Sequence, residues 1–178
     1  MNAFPLKSLS SRFAGALAAL LLLAAPRAAQ AQPFGAWLTL AGVPSHGYIQ
    51  VPHSSALNPT NRLTVEAWVN LRDANGVAGC SRIAGKNWKQ AWWLGICGTN
   101  LRAYLKGGSS ARTVGVIPTG RWTHIAVTFN GAQQIHYING EQVGSFPLDG
   151  PLTTSTNEVR IASDVSWQFT PQGSIDEV

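Results

Sequence analysis

The sequence has little charge: Asp, Glu, Lys and Arg make up 12% of its 178 residues. Yet 45% are hydrophobic and seven are tryptophans, a composition that excludes an intrinsically disordered chain. A charge of one sign is also lacking where it would matter. Three of the thirteen basic residues, Lys7, Arg12 and Arg27, sit in the first 31 positions, which leaves ten Lys and Arg against eight Asp and Glu. No clustered positive footprint of the kind a nucleic-acid binder needs remains. Helix-favouring runs are few, whereas 18 glycines and 10 prolines supply turns, so the balance falls towards an all-β protein. After residue 32 there is no internal repeat, no low-complexity linker and no run apolar enough to enter a membrane. The length suits one domain with a core of its own.

The one long apolar run lies at the start. Lys7 and Arg12 form a positive region, Phe13 to Ala25 an apolar stretch, and Ala29-Gln30-Ala31 a small-x-small cleavage pattern. About 13 residues are too few to span a bilayer core of roughly 30 Å as a helix. Residues 1–31 are therefore expected to be a signal peptide cleaved after Ala31, the alternative being a buried N-terminal helix. The mature chain is expected to be secreted, periplasmic or at the cell surface, with no membrane insertion after cleavage.

An oxidising compartment gives meaning to the only two cysteines, Cys80 and Cys97. They flank two β-like runs, Arg82 to Lys86 and Ala91 to Ile96, joined by Asn87-Trp88-Lys89-Gln90. A four-residue hairpin loop there sets Ile83 opposite Leu94 and Cys80 opposite Cys97. A disulfide across that base would close a loop of roughly 16 residues, worth about 3 kcal/mol in the chain-entropy model. Two free thiols are the alternative.

Period-two alternation runs through the remainder. Leu63, Val65, Ala67, Val69 and Leu71 alternate with Thr64, Glu66, Trp68 and Asn70. Leu101, Ala103 and Leu105 alternate in the same way, as do Ile125, Val127 and Phe129. Asn130-Gly131 and Asn139-Gly140, each suited to a type I′ turn, bracket Ala132 to Ile138 and signal a meander. Further strands are expected at Trp37–Leu40, Tyr48–Val51, Glu141–Phe146, Val159–Ala162 and Ser174–Val178. About twelve short strands without a convincing helix predict an antiparallel two-sheet sandwich.

The run W-T-H-I-A-V-T-F-N-G from Trp122, continued by Y-I-N-G-E-Q-V-G from Tyr137, resembles the double hairpin of laminin-G-like jelly-roll domains, within the concanavalin A-like lectin/glucanase superfamily. Y-I-Q-V-P from Tyr48, L-T-V-E-A-W-V from Leu63 and G-S-I-D-E-V from Gly173 agree in order and spacing. The resemblance covers residues 36–178 and implies a jelly roll. In the family the strand holding I-D-E-V runs on for several residues, so the last strand is expected to be truncated here and the chain to be a fragment or the N-terminal module of a longer secreted protein. The resemblance also implies one structural Ca²⁺ held by the aspartate of the final strand, which Asp176 matches, with carbonyls near Gly42 or Gly47. An Asp176 hydrogen-bonded to backbone without metal is the alternative.

Catalysis finds little support. Glycoside hydrolysis needs two carboxylates flanking the scissile bond, and no two of the eight carboxylates stand at i, i+2 on an expected strand; Asp176 and Glu177 are adjacent and point to opposite faces. Glu66 and His124 read as structural strand residues, and the four histidines lack metal-ligand spacing. The tryptophans are the better lead. Trp92 shares the face of Leu94 and Ile96 and belongs to the core, whereas Trp93 points the other way and Trp88 sits in the loop. Exposed rings there could stack on sugars, with Lys89 and Gln90 hydrogen-bonding beside them; Trp167, near Phe169, forms a second candidate patch. The alternative is that these rings close the ends of the core. The function expected is a non-catalytic recognition module, binding glycan or, on the other reading, an extracellular protein in a structural or adhesive role.

Overall fold

The computed structural model describes residues 35–41, 47–72, 79–87, 89–162 and 172–178. The expected signal segment, Gly42, Trp88, Trp167 and Phe169 lie outside the described residues. Among the described residues no helix is long and apolar enough to cross a membrane.

Within the described residues, twelve strands form two six-stranded sheets. The first contains β1 (Leu38–Ala41), β3 (Leu63–Leu71), β8 (Thr123–Phe129), β9 (Gln133–Ile138), β10 (Glu141–Pro147) and β12 (Gln172–Asp176), in the order β1-β12-β3-β8-β9-β10. The second contains β2 (Ile49–Val51), β4 (Cys80–Gly85), β5 (Trp93–Cys97), β6 (Asn100–Tyr104), β7 (Arg112–Val116) and β11 (Val159–Ile161), in the order β2-β11-β4-β5-β6-β7. The strand pairs are antiparallel, as a jelly roll requires. The final strand covers Gln172–Asp176 rather than starting at Ser174, and lies between β1 and β3.

Alternation places the core. Val65, Ala67, Val69 and Leu71 of β3 are buried while Thr64 and Glu66 face water. Ile125, Val127 and Phe129 line the same side of the first sheet, and Leu94, Ile96, Leu101 and Ala103 meet them from the second. Burying such side chains, each worth about 1.5–3 kcal/mol against exposure, drives the two sheets together.

The two Asn-Gly turns differ. Asn139 and Gly140 both adopt positive φ, 51° and 80°, as a type I′ turn demands. At the other, only Gly131 does so (φ 105°), and the Asn130 side chain accepts the amides of Ala132 and Gln133 at 3.0 and 2.9 Å. That tip is closed by a side chain instead of by two left-handed residues.

The β4–β5 hairpin carries the Cys80–Cys97 disulfide, with the two cysteines directly paired. Pairing follows the expected register as far as Arg82↔Gly95 and then shifts by one, so Ala84 rather than Ile83 stands opposite Leu94. The extra residue is a β-bulge that sends both Ile83 and Ala84 into the core.

Trp93 corrects the expectation of an exposed ring: it is 4% exposed. It does point away from the inter-sheet core, but Gly85 and Gly95 flank it on that face and leave a slot without side chains. A Cβ at Gly95 would overlap the indole, and one at Gly85 would come within 3.0 Å of it. The ring lies flat in the slot and stacks on Tyr104, centroids 5.4 Å apart and planes 7° apart. Trp92 is buried among the core residues, as its face predicts.

Candidate functional site

Four connections gather at one end of the sandwich: residues 52–62, the described residues 86–87 and 89–92, 105–111 and 148–158. Polar residues stitch them together. Asn58 donates its amide to the Ser155 carbonyl (3.0 Å) and accepts the Ser155 N–H (3.2 Å), pairing side chain with backbone in both directions. Ser155 Oγ accepts from Asn157 N (3.1 Å) and from Asn87 Nδ2 (3.4 Å). The amide of Leu152 donates to the Thr60 carbonyl at 2.8 Å.

The tip of the β4–β5 hairpin is shaped by Asn87, whose Oδ1 accepts the N–H groups of Lys89 (2.8 Å) and Gln90 (3.2 Å). The Ala91 amide returns to the Asn87 carbonyl, and Gly107 donates to Ala91 O, drawing the β6–β7 loop against the tip. Gly107, at φ +72°, permits that approach, because a Cβ there would overlap the Lys89 carbonyl. Thr153 Oγ1 donates to the Gln90 carbonyl, closing the ring of contacts.

Between these segments opens a cleft of about 640 Å³ whose walls include Thr60, Lys89, Gln90, Lys106, Thr153 and Thr154. Lys106 is held at the rim by a 2.7 Å hydrogen bond from Nζ to the Asp149 carbonyl. The cleft offers ammonium groups, an amide and hydroxyls over a floor that includes Leu152 and Pro151. Among the described residues no carboxylate lines it.

Of the residues singled out from the sequence, Lys89 and Gln90 come together here. Trp93 does not, being held in its glycine slot; Trp88 and Trp167 lie outside the described residues. Lys106, Thr60 and Thr153 carried no signal, because polar residues in separate loops become neighbours only through the fold. Lys86, at the base of the tip, is 2% exposed; its Nζ meets His53 Nδ1 at 3.1 Å and donates to Leu57 O at 3.2 Å. Burial pushes its pKa below the usual lysine range.

Glu66 and His124 meet on the opposite side of the first sheet from the core, 3.3 Å apart. Asp176, on the neighbouring strand, accepts the Glu177 amide at 2.9 Å through Oδ1. Its Oδ2 is buried and without a hydrogen-bond partner among the described residues. Calcium takes six to eight oxygen ligands, and among the described residues no group of three or more His, Cys, Asp or Glu side chains converges. Asp176 brings one such ligand, too few to hold the ion by itself.

The fold has relatives of known structure. Domain 4 of AbnA, an extracellular arabinanase of Geobacillus stearothermophilus solved with arabinotriose, aligns over 80% of this chain and 73% of its own, at 21% identity and a TM-score of 0.56. A carbohydrate-binding-protein candidate from Bacteroides ovatus aligns at 19% identity and a TM-score of 0.58, over 74% of this chain but 40% of that one. A pentraxin of Limulus polyphemus gives 14% identity and 0.57, over 78% and 72%. At such identities the likeness establishes the fold alone. No curated protein sequence matches the chain. Residues 43–178 match the Laminin_G_3 family, and with three quarters of its length so matched the chain belongs to that family of the concanavalin A-like lectin/glucanases superfamily.

Proposed function

We propose that the protein is a secreted, non-catalytic recognition module that binds saccharide in the loop cleft at the end of the sandwich. The observation that carries this reading is the cleft itself: four loops pinned by a continuous hydrogen-bond network around Lys89, Gln90, Lys106 and Thr153. A sugar presents many hydroxyls and loses affinity when its partners must first be ordered; loops already fixed reduce that cost. A few convergent polar groups over an apolar floor are the usual composition of such sites. The arabinotriose complex of the arabinanase domain supports saccharide as the ligand class. The Cys80–Cys97 disulfide supports an extracellular setting. Non-catalysis is supported by a cleft whose described walls lack the two carboxylates that glycoside hydrolysis needs.

A glycan array followed by calorimetry on the strongest saccharide tests the proposal. Gln90→Ala and Lys106→Ala are each expected to weaken binding roughly tenfold, about 1.4 kcal/mol, with an unchanged melting temperature. An array without saccharide signal, or variants that bind as the parent does, would refute the cleft. Release of reducing ends from a bound oligosaccharide would refute non-catalysis.

A further inference from the structure

A second surface stands apart from the cleft, on the outer face of the first sheet. Leu38 pairs with Ile175, which sets Trp37 beside Asp176; Asp176 pairs with Trp68, and Trp68 with His124. One row thus crosses four adjacent strands, a span of about 15 Å at the usual strand spacing. Trp122, two residues before His124 on the same face, meets Trp37 edge-on with ring centroids 6.1 Å apart. Trp68 leans on His124 at 5.4 Å. Trp37 is 53% exposed, so half of a large apolar ring is left in water while its edge is braced by a second tryptophan. Around the rings stand polar groups of the same face: Glu66 against His124, Asn70, and Asp176 with its unsatisfied Oδ2.

We propose that this face is a second saccharide-binding platform, taking a neutral oligosaccharide of a few rings along the Trp37–Asp176–Trp68–His124 row. The C–H faces of sugar rings suit flat indole surfaces, and their hydroxyls suit the acceptors on Glu66 and Asn70. The two carboxylates turn away acidic sugars, whereas the cleft, with Lys89 and Lys106, does not. An open row fits a chain that continues past both ends of the platform.

Calorimetry with cellohexaose and arabinohexaose tests the platform, using the parent chain, Trp37→Ala, Trp122→Ala and the cleft variant Lys106→Ala. Trp37 is exposed enough that its removal should leave the melting temperature unchanged. The expected result is binding of these neutral chains weakened roughly tenfold or more by Trp37→Ala and retained in Lys106→Ala, whose tenfold loss is expected only for the saccharide held in the cleft. Binding undiminished in Trp37→Ala overturns the platform, and so does the absence of neutral-oligosaccharide binding to the parent chain. If Lys106→Ala rather than Trp37→Ala abolishes binding of the neutral chain, the platform falls; the cleft is judged separately, on the saccharide that the array selects.

Discussion

His136 is wholly buried on β9 beside Gln134, which is 1% exposed. The Gln134 amide donates to the carbonyls of Ala103 (3.2 Å) and Ser110 (3.4 Å) and faces His136 Nε2 at 2.8 Å. Burial, and then the charge of Arg112, push the His136 pKa down to about 4. In the unfolded chain a histidine titrates near 6.5. Between those values the unfolded chain binds the proton and the folded one does not, so stability is complete above pH 6.5 and is lost as the pH falls towards 4. The loss should approach about 3 kcal/mol. Urea midpoints measured from pH 7 to 4 should fall accordingly, and His136→Leu should flatten the profile; an equally steep profile in that variant would refute the assignment. Nothing in the sequence marks His136 as special, since its neighbour Gln134 is itself held by carbonyls on β6 and in the β6–β7 loop, 31 and 24 residues away in the chain.

The β4–β5 hairpin shows at the scale of an element what alternation can and cannot predict. Cross-strand pairing at its base follows from the loop length, and the disulfide with it. The bulge at Ile83 does not, because one extra residue is accommodated only where the packed core has room for both Ile83 and Ala84. Trp93 was legible as facing away from the inter-sheet core but not as buried. Its burial depends on Gly85 from the partner strand, Gly95 from its own and Tyr104 from β6. Gly95→Ala tests the slot: the added Cβ collides with the Trp93 ring and the Ser81 carbonyl, so the ring must leave or the strands must part. Overpacking of this kind costs about 1–3 kcal/mol. The expected result is a melting temperature several degrees lower, with a red shift of tryptophan emission; a variant as stable as the parent would mean that the ring is not confined there. The β8–β9–β10 meander was the most legible element, since its pairing is local and Asn139-Gly140 sets it directly.

For the whole molecule, the sheet order and the loop cleft share one cause: strands distant in sequence become neighbours, and their connections collect at one end. The insertion of β12 between β1 and β3, and the approach of residues 148–158 to residues 52–62, are contacts across about a hundred positions that no local pattern reports. Asn58 supplies the side chain that fixes that approach, beside the Leu152 amide on the Thr60 carbonyl, since it pairs with both the N–H and the carbonyl of Ser155 without lining the cleft. Asn58→Ala removes both hydrogen bonds and should cost about 1–2 kcal/mol of stability. Its further effect should be at a distance. Residues 148–157 would no longer be held in place, so amide hydrogen exchange should accelerate there while the strands of the first sheet keep their protection. Saccharide affinity should then fall although no group of the cleft has been altered, because ordering the loop becomes part of the cost of binding. Faster exchange with unchanged affinity would mean that the cleft does not depend on its pinned loops; unchanged exchange would mean that Asn58 is not the residue that pins them.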